Sequence, residues 1–329
     1  MDRATGWTVI DAGGSGSVLA GRHGRSRYPS VNPASVGTVT AGNTLTALFA
    51  EVAASTPPGC GVWFASAGLD PAAPQEELGR VQAAAAAARL EGPVVVSSDI
   101  VALLLIGLHA GAGRTSGAVA VVSGTGSGVR AGRLDAAPVS VGSQEYLASD
   151  EGSAFAIAQD GLRAAVRAGD GRGPASTLGE RFAARAGMPL HRLARDLAGI
   201  PFPKTAVAAL ADVVTQAWQD GDPVAAGVIE QALHDLQVAV LAGVRRAALR
   251  PGWRAVLAGG VLAGSPSLRT TLADRLAAVG AADSIAVSDP ATSMVEALAG
   301  LAGPVPDSWL GSVAWTLDPA DRRMAGRSR

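Results

Sequence analysis

Two short stretches constrain this chain more than any others. They are Ala12-Gly-Gly-Ser-Gly-Ser17 and Ser123-Gly-Thr-Gly-Ser-Gly128. Each separates two apolar, strand-like runs: Trp7–Ile10 and Ser17–Arg22 around the first, Ala118–Val122 and Val129–Arg133 around the second. A tight hairpin needs one or two glycines, so this excess calls for another reason. Successive backbone N–H groups in a turn form an anion-binding concavity, and glycine permits close approach of the backbone. Ser15, Ser17, Thr125 and Ser127 add hydroxyl donors. Both turns therefore read as phosphate cradles, with ordinary hairpins as the alternative. Their recurrence, each ahead of alternating strands and helices, implies an internally duplicated α/β fold.

Better-known phosphate motifs do not fit. A P-loop requires a lysine after its second glycine, and the only lysine in the chain is Lys204. A dinucleotide fingerprint needs a third glycine where Leu19 and Val129 stand, and it opens a helix rather than a strand. Along the rest of the chain, helices are expected over Thr40–Ala54, Glu76–Leu90, Ile100–Ala110, Asp150–Arg167, Thr205–Gln219 and Pro223–Leu249. Strands are expected at Gly61–Ala65, Pro93–Val96 and Arg254–Leu257. Ser265-Pro266 and Asp289-Pro290 have the N-cap and N1 pattern of helix starts. Two acids, Asp150 and Glu151, fall in the first turn of their expected helix. Residues 111–117 form a glycine-rich joint, which places a domain boundary between 113 and 114. The expected domains are 1–113 and 114–329, with a polar tail over 304–329.

The 329 residues are 48% hydrophobic and carry a formal net charge of −1. That balance excludes disorder and argues against nucleic acid or an anionic membrane as partner. The single cysteine, Cys60, rules out an intrachain disulfide or cysteine cluster, and the four histidines show no ligand spacing. The longest apolar run, Ile100–Leu108, is shorter than the roughly 20 residues of a membrane span. A cytoplasmic enzyme is expected.

In such sheets, ligands gather at the carboxyl ends of strands. Asp11, Asp99, Ser123 and Gly259 all occupy such ends. Asp11, ahead of the first turn, suits a magnesium anchor, because Mg2+ on ATP takes one or two carboxylates and keeps waters. It equally suits a turn cap. Asp99, after a buried strand, suits a general base, and the same position suits a helix N-cap.

These pieces together resemble the BadF/BadG/BcrA/BcrD ATPase family, and within it the N-acetylglucosamine kinases of the actin-like superfamily. The likeness runs from about residue 7 to about 302. Asp11–Ser17 is similar to the family's first phosphate loop, and Ser123–Ser127 to its second. Asn32 and Ser35 lie in a stretch similar to the substrate-side loop, Asp99 falls at the catalytic aspartate, and Asp150-Glu-Gly-Ser153 matches the sugar-contacting motif. Leu257–Val261 resembles the adenosine loop. The resemblance implies two actin-like, ribonuclease H-like domains of mixed sheet with helices, with ATP in the interdomain cleft. It also implies an amino sugar as acceptor, phosphorylated at its C6 hydroxyl. The implied cofactors are ATP, contacted by Gly13, Gly14, Ser15, Ser17, Gly124, Thr125, Gly126, Ser127, Gly259 and Gly260, and Mg2+ at Asp11. The implied sugar contacts are Asn32, Ser35, Gln144 and Asp150, and the expected assembly is a homodimer.

The sequence departs from that pattern in two places. Gly16 stands where the family's first loop has a lysine. Ser143-Gln144-Glu145 replaces Gly-Trp-Gly, so the aromatic wall of the sugar pocket is gone. A sugar- or nucleotide-binding regulator without catalysis is therefore the alternative. A radical-enzyme activator, which needs two cysteines per chain for its iron–sulfur cluster, is disfavoured by the lone Cys60.

Overall fold

Alternating apolar runs and amphipathic helices give two sheets, each layered with helices. The computed structural model describes residues 7–13, 16–21, 24–70, 72–109, 115–298 and 305–319, without the side chains of residues 34 and 35. Gly14 and Ser15 lie outside the described residues, as do 320–329 of the expected tail.

The chain divides into two compact units. The first opens with β1 (Trp7–Ala12), β2 (Ser17–Gly21) and β3 (Gly24–Tyr28), then α1 (Pro33–Val36) and α2 (Thr38–Ser55). It continues through β4 (Gly61–Ser66), α3 (Gln75–Ala87), β5 (Val94–Ser98) and α4 (Asp99–His109). The second carries β6 (Ala118–Ser123), β7 (Ser127–Arg133), β8 (Ala136–Gly142) and the helices α5 (Ala154–Gly169), α6 (Leu178–Ala186), α7 (Leu190–Ala198), α8 (Lys204–Ala208), α9 (Ala211–Gln219) and α10 (Pro223–Arg246). It ends with β9 (Trp253–Ala258), α11 (Gly260–Gly264), α12 (Pro266–Ala278) and β10 (Ala281–Val287). After these, α13 (Pro290–Leu298) and β11 (Ala314–Leu317) close the described chain.

The first sheet has the order β11-β5-β4-β1-β2-β3, the second β10-β9-β6-β7-β8. Without β11, the orders are the same permutation of five successive strands, so the duplication implied by the two turns extends to whole sheets. The parallel set β1, β4 and β5 corresponds to β6, β9 and β10. β4 and β5 of the first sheet are buried throughout, as expected where helices cover both faces.

The division differs from the contiguous one expected at residue 113. Residues 132–138 and 289–329 belong with the first unit. Within that unit β11 pairs antiparallel with β5, and the buried Trp309 donates its indole N–H to the Arg133 and Ala136 carbonyls at 3.0 and 2.9 Å. Two helix expectations are also corrected. The stretch Thr205–Gln219 is broken into α8 and α9. The helix expected from Asp150 starts at Ala154, capped by the Ser153 hydroxyl accepting the Ala156 N–H at 3.2 Å. Asp150 lies outside it with φ of 70°, so it plays no part in the helix dipole.

α10 is long and apolar enough by composition to cross a membrane. It instead buries Ala225, Ile229, Leu233, Leu236 and Val240 in the core of the second unit, packed against α5, α9 and α12.

Candidate active site

Parallel pairing brings two carboxylates to one edge of the first sheet. In register, Asp11 of β1 stands beside Ala65 of β4, and Ala65 beside Ser97 of β5. Asp99 follows two residues later as the first residue of α4, its Oδ1 accepting the Ile100 N–H at 2.8 Å. Burial pushes the Asp11 carboxyl up to about 7, the charges of Asp99 and then Asp289 add to the rise, and Arg25 opposes it. Arg25, on β3, is paired with Asp289 at 2.9 Å. Asp289 also accepts the Thr292 hydroxyl at 2.9 Å at the start of α13. The charges of Asp99 and Asp289 thus both reach Asp11, and Arg25, paired with Asp289, offsets them only in part.

That arrangement fits a nucleotide-borne magnesium ion. Among the described residues no group of three or more His, Cys, Asp or Glu side chains is disposed to hold a metal by itself. A magnesium ion on ATP needs only one or two carboxylates, the rest of its shell being phosphate and water. A cation beside Asp11 would also offset the burial and the neighbouring charges that hold its proton on. The Ser17 hydroxyl, at the end of the first turn, is buried without a hydrogen-bond partner among the described residues.

The loop carrying Ser30 and Asn32 is tied to the first turn. Ser30 Oγ donates to the Gly13 carbonyl at 3.1 Å and accepts the Asn32 N–H at 3.1 Å. Arg80 secures the neighbouring Val31 carbonyl at 2.8 Å while paired with Glu77 at 2.6 Å. Asn32 packs against Gly68, where an added Cβ would lie 3.4 Å from its amide. Ser35 falls in α1.

In the second unit, the other turn is bound to the Asp150 motif. Gly124 donates its N–H to the Gly126 carbonyl at 2.9 Å, and its own carbonyl accepts the Ala154 N–H at 2.8 Å. Asp150 Oδ1 accepts the Ser127 N–H at 3.0 Å, and Ser127 Oγ donates to the Glu151 carbonyl at 2.7 Å. Thr125, at the tip, is exposed. Gly259 has φ of 100°, and a Cβ there would meet the Ser123 carbonyl oxygen at 2.4 Å. The loop at Gly259 and the second turn therefore touch through bare backbone, with Gly260 open beside them. Gln144 is exposed on the 143–150 loop.

Sequence reasoning missed Asp289 and Arg25 as neighbours of Asp11, Ser30 as the link from Gly13 to Asn32, and Lys204. The last lies 2.8 Å from both Asp150 and Glu145. Its status as the only lysine was the available signal.

The sequence profile of the BadF/BadG/BcrA/BcrD ATPase family matches residues 99–288, more than half of the chain. The chain belongs to that family. No curated protein sequence matches this BadF-family chain. Among solved structures, it is similar to a candidate N-acetylglucosamine kinase from Chromobacterium violaceum, at 22% identity and a TM-score of 0.65, with 89% of this chain and 98% of the other covered. A candidate N-acetylglucosamine kinase from Porphyromonas gingivalis gives 17% identity and a TM-score of 0.68, over 88% and 97%. A ROK family glucokinase from Streptomyces griseus, solved with glucose and AMPPNP, gives 14% identity and a TM-score of 0.53, over 90% and 98%. At these identities the likeness establishes the fold: two actin-like units of mixed sheet with helices.

Proposed function

We propose that the chain is an ATP-dependent kinase that phosphorylates an amino sugar at its C6 hydroxyl. The observation that carries this reading is the placement of Asp11 and Asp99 at one sheet edge, close enough for the charge of Asp99 to raise the Asp11 carboxyl. Asp99 takes the proton of the attacking sugar hydroxyl, a role that needs an acceptor held within hydrogen-bond reach of the nucleophile. Asp150 receives further sugar hydroxyls, and Asn32, fixed by Ser30 and Arg80, supplies an amide beside the first turn. The N–H groups of Gly13, Gly14 and Gly126 and the hydroxyls of Ser15, Ser17 and Thr125 take the phosphate oxygens, while Gly124 and Ser127, whose donors are spent on the Gly126 and Glu151 carbonyls, hold the second turn in shape beside them; Gly259 and Gly260 admit the adenosine. A magnesium ion at Asp11 supplies neutralisation of phosphate charge during phosphoryl transfer. With Gly16 in place of a lysine, charge neutralisation rests on this metal and on backbone donors.

The test is a coupled ADP-release screen over glucosamine, N-acetylglucosamine, N-acetylmuramic acid, N-acetylmannosamine, glucose and a no-sugar control. Sugar-dependent release from one of the amino sugars supports the reading. Equal release without sugar assigns a plain ATPase instead. Binding of sugar and nucleotide by calorimetry with no release assigns a regulator.

A further inference from the structure

Lys204, the chain's single lysine, opens α8 and is not directed at bulk solvent. Its ammonium lies 2.8 Å from Asp150 Oδ2 and 2.8 Å from Glu145 Oε2. It also stands 5.8 Å from the centre of the Tyr146 ring, within cation–π range, and Tyr146 packs at 4.8 Å on Phe155 of α5. The Asp150 side chain is 5% exposed and that of Glu145 76% exposed. Lys204 therefore links a buried carboxylate to a surface one across the 143–150 loop. Burial alone would lower the ammonium's pKa, but the hydrogen bonds and charges of Asp150 and Glu145 outweigh it and hold it above the ordinary lysine value.

The loop that Lys204 spans is strained. Ser143, Glu145 and Asp150 have φ of 61°, 64° and 70°, in the left-handed region that side-chain-bearing residues avoid. Such conformations persist only where surrounding contacts impose them. The contacts here include the two ion pairs, the Ala148 and Ser149 N–H bonds to the Glu145 carbonyl at 3.1 and 2.8 Å, and the seat of Asp150 on the second turn. Asp150 Oδ1 takes the Ser127 N–H at 3.0 Å, and a Cβ on Gly126 would come within 2.7 Å of Oδ2. A carboxylate held by a backbone donor on one oxygen and an ammonium on the other has a single orientation. Oδ2 is enclosed beside the ammonium, so the further lone pair of Oδ1 is the one left for an incoming hydroxyl.

We propose that Lys204 is the positioning residue for the acceptor: with Glu145 it clamps the Asp150 carboxylate and the left-handed 143–150 loop in the arrangement that receives the sugar hydroxyls. The inference rests on the reading of Asp150 as an acceptor contact. A lysine suits the task because its compact ammonium aims separate donors at two carboxylates, whereas the planar fork of arginine favours one carboxylate bidentately.

The test compares Lys204→Met, Lys204→Arg, Glu145→Gln and Asp150→Asn with the wild type. The acceptor is the sugar with the highest turnover in the screen or, if none turns over, N-acetylglucosamine titrated calorimetrically. Lys204→Met is expected to raise the acceptor KM and Kd by about 10- to 100-fold, the worth of a hydrogen bond to a charged group. The KM for ATP should stay within about twofold. Lys204→Arg should recover part of the loss, and Glu145→Gln should show a smaller one of about 3-fold or more. An unchanged acceptor KM in Lys204→Met, with a raised one in Asp150→Asn, overturns the inference and leaves Asp150 as a sugar contact; Lys204 is then a helix–loop staple. An unchanged acceptor affinity in Asp150→Asn removes the Asp150 reading and the inference with it. Should Lys204→Met fail to fold, Glu145→Gln decides, since its side chain is largely exposed, and unaltered acceptor affinity there overturns the clamp.

Discussion

Asp11 is expected to destabilise the folded protein at neutral pH, and replacing it by asparagine measures by how much. The Asp11 carboxyl is held up to about 7 by burial and by the charges of Asp99 and Asp289. In the unfolded chain it titrates near the ordinary aspartate value of about 4. The folded protein therefore keeps a proton that the unfolded chain gives up. Stability from this group is complete below about pH 4 and is lost as pH rises toward about 7. Three pH units at about 1.4 kcal/mol each set an upper figure of about 4 kcal/mol. Asp11 retains partial solvent access, which screens its charge, so about half that figure is the expectation. Asparagine has nearly the same shape and no charge at any pH. In denaturant unfolding without nucleotide or divalent cation, Asp11→Asn should gain on the wild type by about 1–3 kcal/mol between pH 5 and pH 8. The same substitution should abolish most of the thermal stabilisation that Mg2+ with ATP gives the wild type at pH 8. A stability difference that stays flat from pH 5 to pH 8, or an asparagine variant less stable throughout, would refute the reasoning, because neither is compatible with a charge buried beside two others.

Three further outcomes are expected. Asp99→Asn should keep ATP affinity and lower turnover by at least about a hundredfold, a general base's usual worth; near-normal turnover removes the base assignment. Gly259→Ala should cost about 3 kcal/mol or more in unfolding experiments, because its Cβ would meet the Ser123 carbonyl at 2.4 Å from a φ of 100°; an alanine variant of wild-type stability shows that the two loops are not in contact. Asp222 caps α10 and takes N–H bonds from Ala225 at 3.0 Å and Thr177 at 2.7 Å. Burial would raise its carboxyl, but these bonds outweigh it and hold it at about 2. Its stabilisation is present above about pH 4 and lost toward pH 2, so the deficit of Asp222→Ala, about 1–2 kcal/mol at pH 7, should narrow by pH 3 in urea titrations; a deficit independent of pH sinks the assignment.

Much of the fold was legible because it is written in local periodicity. The apolar runs around both turns became β1, β2, β6 and β7, and the parallel strands β4 and β5 were visible as buried runs ahead of Ser66 and Asp99. The third strands were not visible. β3 reads Gly-Arg-Ser-Arg-Tyr and is largely exposed, and β8 carries Pro138. Both are sheet edges, where one face or both meet water and the alternation that signals a strand fades. The same holds for β11, which joins β5 from more than 200 residues away, so its pairing has no local signature.

The site divides along the same line. Asp11, Asp99 and the glycine turns could be found because each sits at the end of a strand that announces itself. Asp289 and Arg25 could not, since their relation to Asp11 depends on α13 returning to the first unit. At Asp150 the local signal pointed the wrong way: two acids before an amphipathic run look like a helix start, and here the helix waits for Ser153. The left-handed turn at Asp150 frees the carboxylate from helix-terminal duty and aims it at Ser127 and Lys204. Local propensity loses to tertiary contacts at the one acidic motif that the family resemblance links to sugar, which is where departures from local rules are expected to mark function.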